Sequence, residues 1–224
     1  MPSKTSAPAR EKRTRKPAEP ESGYHHGDLQ EALIAATEAI LAEDGAEGFT
    51  LREAARRAGV SPAAPSHHFG NAPGLLTEVA IRGYDELGAA LRQAAAKEGS
   101  ERQRLRAQGL AYVAFALKYP GRFNMMFSNK RLNAYDERLR KAVKAAHREF
   151  ELMVGQLIAH DADASPKRAR IVATVAWSTV HGYAKLALEG KFGPVDTEAG
   201  RREIMATLRP VLDYLWPDAV DTRR

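Results

Sequence analysis

The chain has 224 residues, of which 44% are hydrophobic and 28% are charged, and it contains no cysteine. This length and composition predict a soluble globular protein of one domain or two small ones, and the lack of cysteine excludes disulfides and thiolate metal ligands. No apolar run reaches the roughly 20 residues that a membrane span needs. The opening MPSKTSAPAR lacks the apolar stretch of a secretory signal. We therefore expect a cytoplasmic protein without a membrane contact.

The positive charge is concentrated at the start of the chain. The net charge is +6, and residues 1–20 hold six Lys or Arg against two Glu, which leaves only +2 for the rest. The segment has four prolines and almost no large apolar groups, so it cannot bury enough surface to offset the entropy of ordering. We predict that residues 1–23 form a disordered basic arm. Such an arm either keeps the protein soluble or contacts the phosphates of a nucleic acid.

From Asp28 onward the hydrophobic pattern is helical, with no strand-like alternation. Asp28 with Glu31 predicts a capping box at the start of the first helix, which Gly45 ends. We therefore expect one helix after another from Asp28 onward.

Two short helices are predicted next. Thr50 with Glu53 forms a second capping box that begins a helix over 51–58, and Gly59 can adopt the left-handed conformation that ends it. A Ser-Pro pair then predicts the start of a third helix over 62–68. Two short helices joined by a glycine-containing turn are typical of the helix-turn-helix, whose second helix enters the major groove of DNA. The small and hydrogen-bonding side chains of helix three suit contact with base edges.

The stretch TLREAARRAGVSPAAPSHHFGNAPGLLTEVA, residues 50–80, resembles the DNA-binding region of the TetR family of bacterial transcriptional regulators. It is similar to that family's T-L/V-R-x-I/V-A-x-x-A-G-V-S/T start, which an aromatic-x-H-F block and a leucine pair follow. YHHGDL, residues 24–29, and AWSTVHGYAKL, residues 176–186, are similar to a branch of the family with a WHG-type C-terminal domain.

The resemblance implies an all-α fold of nine helices. A three-helix helix-turn-helix DNA-binding domain is expected over residues 24–72, and a six-helix ligand-binding and dimerisation domain over residues 73–224. The implied assembly is a homodimer that binds double-stranded, palindromic operator DNA. The predicted DNA-binding residues are Thr50, Arg52, Ser61, Ala63, Ala64, Pro65, Ser66, His67, His68 and Asn71.

Two positions depart from the family pattern. Ser66 stands where the family usually has a tyrosine before the x-H-F element, and Ala72 stands where it usually has a lysine at the start of helix four. Both usual residues are linked to phosphate contacts, so the resemblance does not supply those contacts here. The basic arm is a candidate source of the missing positive charge.

The adjacent histidine pairs at 25–26 and 67–68 do not predict a metal site. Neighbouring residues on a helix point about 100° apart, so neither pair presents two ligands on one face. The sequence also has no glycine-rich phosphate loop, no cysteine nucleophile and no hydrolase-like spacing of carboxylate and histidine. We therefore predict no catalytic residue, no metal, no cofactor and no enzymatic activity.

Six more helices are predicted after residue 72. Breaks in the pattern place them at about 73–97, 102–119, the FNMMF segment, 135–160, 166–190 and the C-terminal stretch. Apolar residues at helical spacing form one stripe on the last helix: Ile204, Met205, Leu208, Val211, Leu212 and Leu215. The stripe is longer than one small core needs, so we expect Leu208 in a dimer interface.

Twelve of the sixteen aromatic residues and four of the five methionines follow residue 104. This adaptable apolar surface is suited to line a ligand cavity, although each such residue can equally be plain core. The candidate ligand-binding residues are Tyr112, Phe115, Met126, Phe127, Trp177 and His181. Trp177 and His181 share one face of helix eight, where they form either a polar handle inside a pocket or a structural pair between helices.

Together these features predict a DNA-binding transcriptional regulator, interpreted as a repressor that a small-molecule effector releases from its operator. A small rotation of helix four would disturb the separation of the two recognition helices, which is about 34 Å for half-sites one turn of DNA apart. Two alternatives remain open. One is a DNA-binding regulator without a small-molecule effector, and the other is a ligand sensor that has lost DNA binding.

Overall fold

The computed structural model describes residues 26–128, 130–159 and 161–218, and these form nine α-helices and no strand. The helices are α1 (His26–Glu43), α2 (Leu51–Arg57), α3 (Ala64–Phe69), α4 (Ala72–Ala95), α5 (Glu101–Lys118), α6 (Pro120–Met126), α7 (Glu137–Ile158), α8 (Pro166–Leu188) and α9 (Glu198–Leu215). The predicted all-α fold is confirmed in these residues. The predicted basic arm lies outside them, and the division of the chain at residue 72 stays a prediction.

Most of the long helices begin at a residue whose side chain accepts a hydrogen bond from the first turn. Ser165 does so for α8, at 3.2 Å from the Arg168 N–H. The capping residues of α4, α5, α7 and α9 are, in that order, Asn71, Ser100, Asp136 and Thr197. The predicted cap at Asp28 is wrong, because α1 is already helical at His26. Gly45, with a φ of +67°, follows α1 as expected.

The long helix α4 lies at the centre of the fold. It packs against α5, α6 and α7, while α5 packs in turn against α8 and α9. Gly109 of α5 allows α8 and α9 to approach closely, because a Cβ atom at that position would lie only 3.0 Å from Leu212 of α9 and 3.2 Å from Val180 of α8. The core therefore joins α4 to α9 into one body.

The apolar stripe of α9 belongs to this core. Ile204, Leu208 and Leu212 are at most 1% exposed within a single chain, because α9 packs on α5. The expectation that Leu208 lies in a dimer interface is therefore wrong. Large exposed apolar side chains occur instead on α8, at Ile171 and Val175 among others.

The short helix α6 connects the C-terminal body with α1. A Cβ atom at Gly121 would lie 1.7 Å from the Leu41 carbonyl oxygen, so the two backbones are in direct contact. The next residue, Arg122, is buried and donates to Glu38 of α1 and to Glu86 of α4, each at 2.7 Å. The helix-turn-helix unit is thus held against the body by backbone packing and by charge.

Candidate DNA-binding surface and ligand cavity

The turn between α2 and α3 is set by the backbone. Gly59 has a φ of +68°, in the left-handed region that favours glycine. The Val60 N–H donates to the Ala55 carbonyl at 3.0 Å, which closes the turn. Ala54 and Ala55 are buried, and their small side chains permit close packing of α2. The predicted glycine-ended helix-turn-helix is confirmed.

The second helix of this unit, α3, starts later than the sequence predicts. It begins at Ala64, no side chain caps it, and the Ser61 carbonyl accepts from the Ala64 N–H at 3.0 Å. The predicted cap at Ser61 is therefore wrong. Pro65 occupies the second helical position, where its missing N–H breaks no intrahelical bond. Pro65 is also buried, so it anchors α3 and offers DNA no surface, which corrects its predicted role.

The outward side of this unit is formed by Ser61, Ala63, Ser66 and His67, all of which are exposed. Ala63, Ser66 and His67 are three and four residues apart, so their side chains share one face. Ala64 and His68 are half-buried and lie at the edge of that face. The structure therefore presents a small, mixed polar and methyl surface on α3.

Three arginines lie on α2, but two of them are already paired. Glu53 accepts from Arg56 at 2.7 and 2.8 Å and from Arg57 at 2.7 Å. These hydrogen bonds hold the pKa of Glu53 down to about 2. Arg57 also binds two acidic side chains at the end of α1, at 2.6 and 3.0 Å. Arg52 is exposed and forms no ion pair with any residue that the structure describes, so its charge is available to an external anion.

The polar groups at the starts of α2 and α4 are largely used within the protein. The Thr50 hydroxyl accepts from the Glu53 N–H at 3.1 Å, but the Glu53 carboxylate binds arginines instead of returning the bond, so only half of the predicted capping box forms. Asn71 Oδ1 accepts from the Gly74 N–H at 2.9 Å, and the proline between them has no N–H. The first turn of α4 thus offers a phosphate at most the Ala72 N–H.

A small apolar cavity lies among α4, α5, α7 and α8. Its volume is about 30 Å³, which is room for about one or two water molecules. Its walls include Tyr84, Leu87 and Leu91 of α4, Gln108 and Tyr112 of α5, and His147, Phe150 and Trp177 of α7 and α8. Phe127 also contributes. The structure therefore brings together three predicted ligand-binding residues, Tyr112, Phe127 and Trp177, with several that the sequence did not indicate.

The other three predicted ligand-binding residues are not in the cavity wall. Met126 is buried against α4, where the Tyr84 hydroxyl donates to the Met126 carbonyl at 3.0 Å. Phe115 packs on Tyr119, with ring centroids 5.3 Å apart. His181 lies behind Tyr112, one layer from the cavity. These three side chains do not line this cavity, and their role in ligand binding stays a prediction.

His181 links the aromatic side chains behind the cavity. Its Nδ1 shares a hydrogen bond of 2.8 Å with the Tyr112 hydroxyl, and its ring lies 5.6 Å from Trp177 and 4.6 Å from Phe127. Burial lowers the pKa of His181 below its ordinary value, and the nearby Lys185 lowers it further. Burial likewise raises the pKa of Tyr84 to about 12. Trp177 thus lines the cavity, while His181 contacts Tyr112, Phe127 and Trp177. Both interpretations of the Trp177–His181 pair stay predictions.

Metal and membrane sites find no support in the described part of the chain. Among these residues, no three His, Cys, Asp or Glu side chains form a group that could hold a metal ion. Within the same ranges, no helix is both long enough and apolar enough to cross a membrane.

A helix-turn-helix with an outward-facing second helix, backed by a helical body with an internal cavity, defines a DNA-binding regulator. Residues 33–79 match the family described as "Bacterial regulatory proteins, tetR family", and residues 105–214 match "Tetracyclin repressor-like, C-terminal domain". The chain belongs to the TetR family and is a DNA-binding transcriptional regulator. Both descriptions concern regulatory proteins rather than enzymes. The assignment to the WHG-type branch stays a prediction.

Solved structures with the same fold extend over nearly the whole chain. A protein of unknown function from Rhodococcus sp. RHA1 is 36% identical, with 88% of this chain and 97% of that one covered and a TM-score of 0.70. PfmR, a TetR family transcriptional regulator from Thermus thermophilus, is 17% identical, with 82% and 96% covered and a TM-score of 0.62. FadR from Bacillus subtilis, a transcriptional regulator solved in complex with stearoyl-CoA, is 12% identical, with 84% and 97% covered and a TM-score of 0.63. No curated protein matches the chain significantly.

Proposed function

We propose that this regulator is a homodimeric repressor, which binds a palindromic operator through α3 and releases it when a small molecule occupies the cavity. The observation that supports DNA binding most directly is the outward face of α3, together with Arg52 of α2, which forms no ion pair within the described part of the chain. Ala63 offers a methyl group to thymine, and Ser66 and His67 offer hydrogen-bonding groups to base edges. Arg52 supplies a phosphate contact that positions the helix without specifying sequence.

The dimer is proposed to form through α8. Ile171, Val175 and Leu186 are 49%, 47% and 44% exposed, and their spacing places them on one face of the helix. Gly182 lies on the same face, and a Cβ atom there would meet nothing within 4 Å. A glycine inside a helix costs about 1 kcal/mol relative to alanine, and no contact with the residues that the structure describes explains it. A second copy of α8 that approaches closely would use both the apolar side chains and the glycine.

The proposed route from effector to DNA runs through α4. Tyr84, Leu87 and Leu91 of α4 line the cavity, while the first turn of the same helix follows α3 directly. A ligand that widens the cavity must displace α4, α5, α7 or α8, because protein interiors are close-packed. A displaced α4 would move α3 relative to its copy in the partner subunit. FadR, which has a similar fold, was solved with stearoyl-CoA bound, and this supports a ligand-binding role for the C-terminal body here.

One observation favours the alternative of a regulator without a small effector. The cavity of about 30 Å³ is too small for a metabolite unless its wall moves. A thermal-shift screen of small molecules against the full chain distinguishes the two functions. A compound that raises the melting temperature and weakens operator binding supports the proposed function, whereas a compound library that changes neither supports the alternative.

Selection of DNA from a random pool tests operator binding itself. A palindromic consensus is expected, and recovery of unrelated sequences would contradict DNA recognition by this unit and favour a sensor that has lost it. With that operator, fluorescence anisotropy of Arg52→Ala and Arg56→Ala makes a matched comparison. Arg52→Ala is expected to weaken binding and to lower the dependence of log affinity on log salt by about 0.9 for each phosphate that it no longer neutralises. Arg56→Ala should change binding less, because Glu53 already pairs with Arg56.

A further inference from the structure

One residue that lines the cavity, Gln108, has a buried polar atom without a partner among the described residues. Gln108 is 1% exposed, and its Nε2 donates a long hydrogen bond of 3.4 Å to the Glu149 carbonyl. Because that carbonyl can only accept, the amide nitrogen must face it, and the amide oxygen faces elsewhere. Gln108 Oε1 is fully buried and has no hydrogen-bond partner among the described residues. Leaving such an acceptor unpaired is costly, so its environment is suited to a group that donates.

The remainder of the wall is mainly apolar. Tyr84, Leu87, Leu91, Phe127 and Phe150 present carbon surface, and no Lys, Arg, Asp or Glu among the described residues takes part. His147 Nδ1 donates to the Val143 carbonyl at 2.9 Å, which places that ring proton away from the cavity. A charged ligand would lose its hydration here without gaining an opposite charge. The wall therefore favours a neutral guest.

A way into the cavity lies along the groove between α7 and α8. That groove has a volume of about 420 Å³ and shares His147, Phe150 and Trp177 with the cavity, so these three side chains separate the two spaces. Trp177 is 39% exposed, whereas Gln108 is almost fully buried. Outward rotation of the indole would join the two volumes and open a path that ends at Gln108.

We propose that the effector is a small, neutral, mainly aromatic or aliphatic compound with one hydrogen-bond donor, which enters past Trp177 and donates to Gln108 Oε1. This assignment rests on the proposed function, in which the cavity is the effector site. It also gives Gln108 a role, since the donor of the ligand satisfies an acceptor that has no partner in the described ranges.

The test is isothermal titration of the full chain with four ring compounds that differ in one group: phenol, toluene, anisole and benzoate. Phenol is expected to bind about five to ten times more tightly than toluene or anisole, because only phenol can donate to the amide oxygen. Benzoate is expected to bind at least about ten times more weakly than phenol, because the wall offers its charge no partner. Equal affinities for phenol and anisole, or tightest binding of benzoate, would overturn the assignment without any variant.

Two variants locate the contact. Gln108→Leu keeps a similar volume and should remove the preference for phenol over toluene, while Gln93→Leu, at an exposed position of α4, should keep it. A preference for phenol that survives in Gln108→Leu would overturn the role of this residue. Trp177→Ala should raise the association rate of both phenol and toluene, because it removes a side chain that lies between the groove and the cavity. An unchanged association rate in stopped-flow measurements would overturn the proposed entry path.

These titrations contain no DNA, so their outcome is separate from that of the proposed function. A chain that shows the predicted preferences but keeps its operator affinity with phenol bound retains the ligand assignment and loses effector release. A chain that binds its operator but none of the four probes loses the ligand assignment alone.

Discussion

Arg122 is expected to hold α6 against both α1 and α4, and Arg122→Met tests this. The guanidinium lies 4.0 Å from the centre of the Tyr119 ring and is 5% exposed. A desolvated cation–π contact contributes roughly 1 to 2 kcal/mol. The ion pairs to Glu38 and Glu86 add less, about 0.2 to 1 kcal/mol each, because these carboxylates are 36% and 50% exposed and water screens them.

These contributions predict that Arg122→Met lowers the free energy of unfolding by about 2 to 3 kcal/mol. The methionine keeps most of the apolar stem, so the loss reports charge rather than packing. For a chain of this size each kcal/mol corresponds to about 2 to 4 °C, so the melting temperature should fall by about 4 to 12 °C. Urea unfolding followed by circular dichroism measures the free energy, and calorimetry measures the melting temperature.

Arg92→Met is the matched control. Arg92 is 54% exposed, and a single hydrogen bond of 3.2 Å joins it to Glu149, so its loss should cost less than about 0.5 kcal/mol. A double-mutant cycle of Arg122→Met with Glu86→Gln should give a coupling energy of about 1 kcal/mol, because two hydrogen bonds join this pair. Equal effects of Arg122→Met and Arg92→Met, or a coupling energy of zero, would refute the reasoning.

The dimer surface, the basic arm and His181 each give one more prediction. Val175→Arg should yield a folded monomer by light scattering, while Leu208→Arg should unfold the chain, because Leu208 is fully buried in its own core; a Val175→Arg dimer would move the interface off α8. Deletion of residues 1–20 should flatten the slope of log operator affinity against log salt by nearly two units if the arm makes about two phosphate contacts per dimer, and an unchanged slope would leave the arm as a solubilising leader. The lowered pKa of His181 means that the unfolded state binds its proton more readily, so stability should fall as the pH drops below about 6.5; His181→Asn should lack this fall, and an identical pH profile would contradict it.

Several features of the fold could be predicted from local sequence, because local chemistry sets them. Gly59 had to end α2 since a left-handed residue was needed there, and Ser165 caps α8 as its position before proline indicates. Local patterns mislead where two local preferences compete. Glu53 was expected to complete a capping box, but two arginines one turn further along offered its carboxylate stronger, charge-assisted bonds.

The sequence by itself determined that the chain is a set of amphipathic helices with a helix-turn-helix near its start, because helical periodicity, caps and glycines act over a few residues. Tertiary structure alone decided which apolar faces are covered. The stripe of α9 and the exposed residues of α8 have similar patterns in sequence. The stripe of α9 is buried against α5, whereas Ile171 and Val175 of α8 stay exposed, so the proposed dimer surface lies on α8. Gln108 shows the same limit, since a single glutamine in a helix becomes an unpaired acceptor only when three other helices close around it and exclude water.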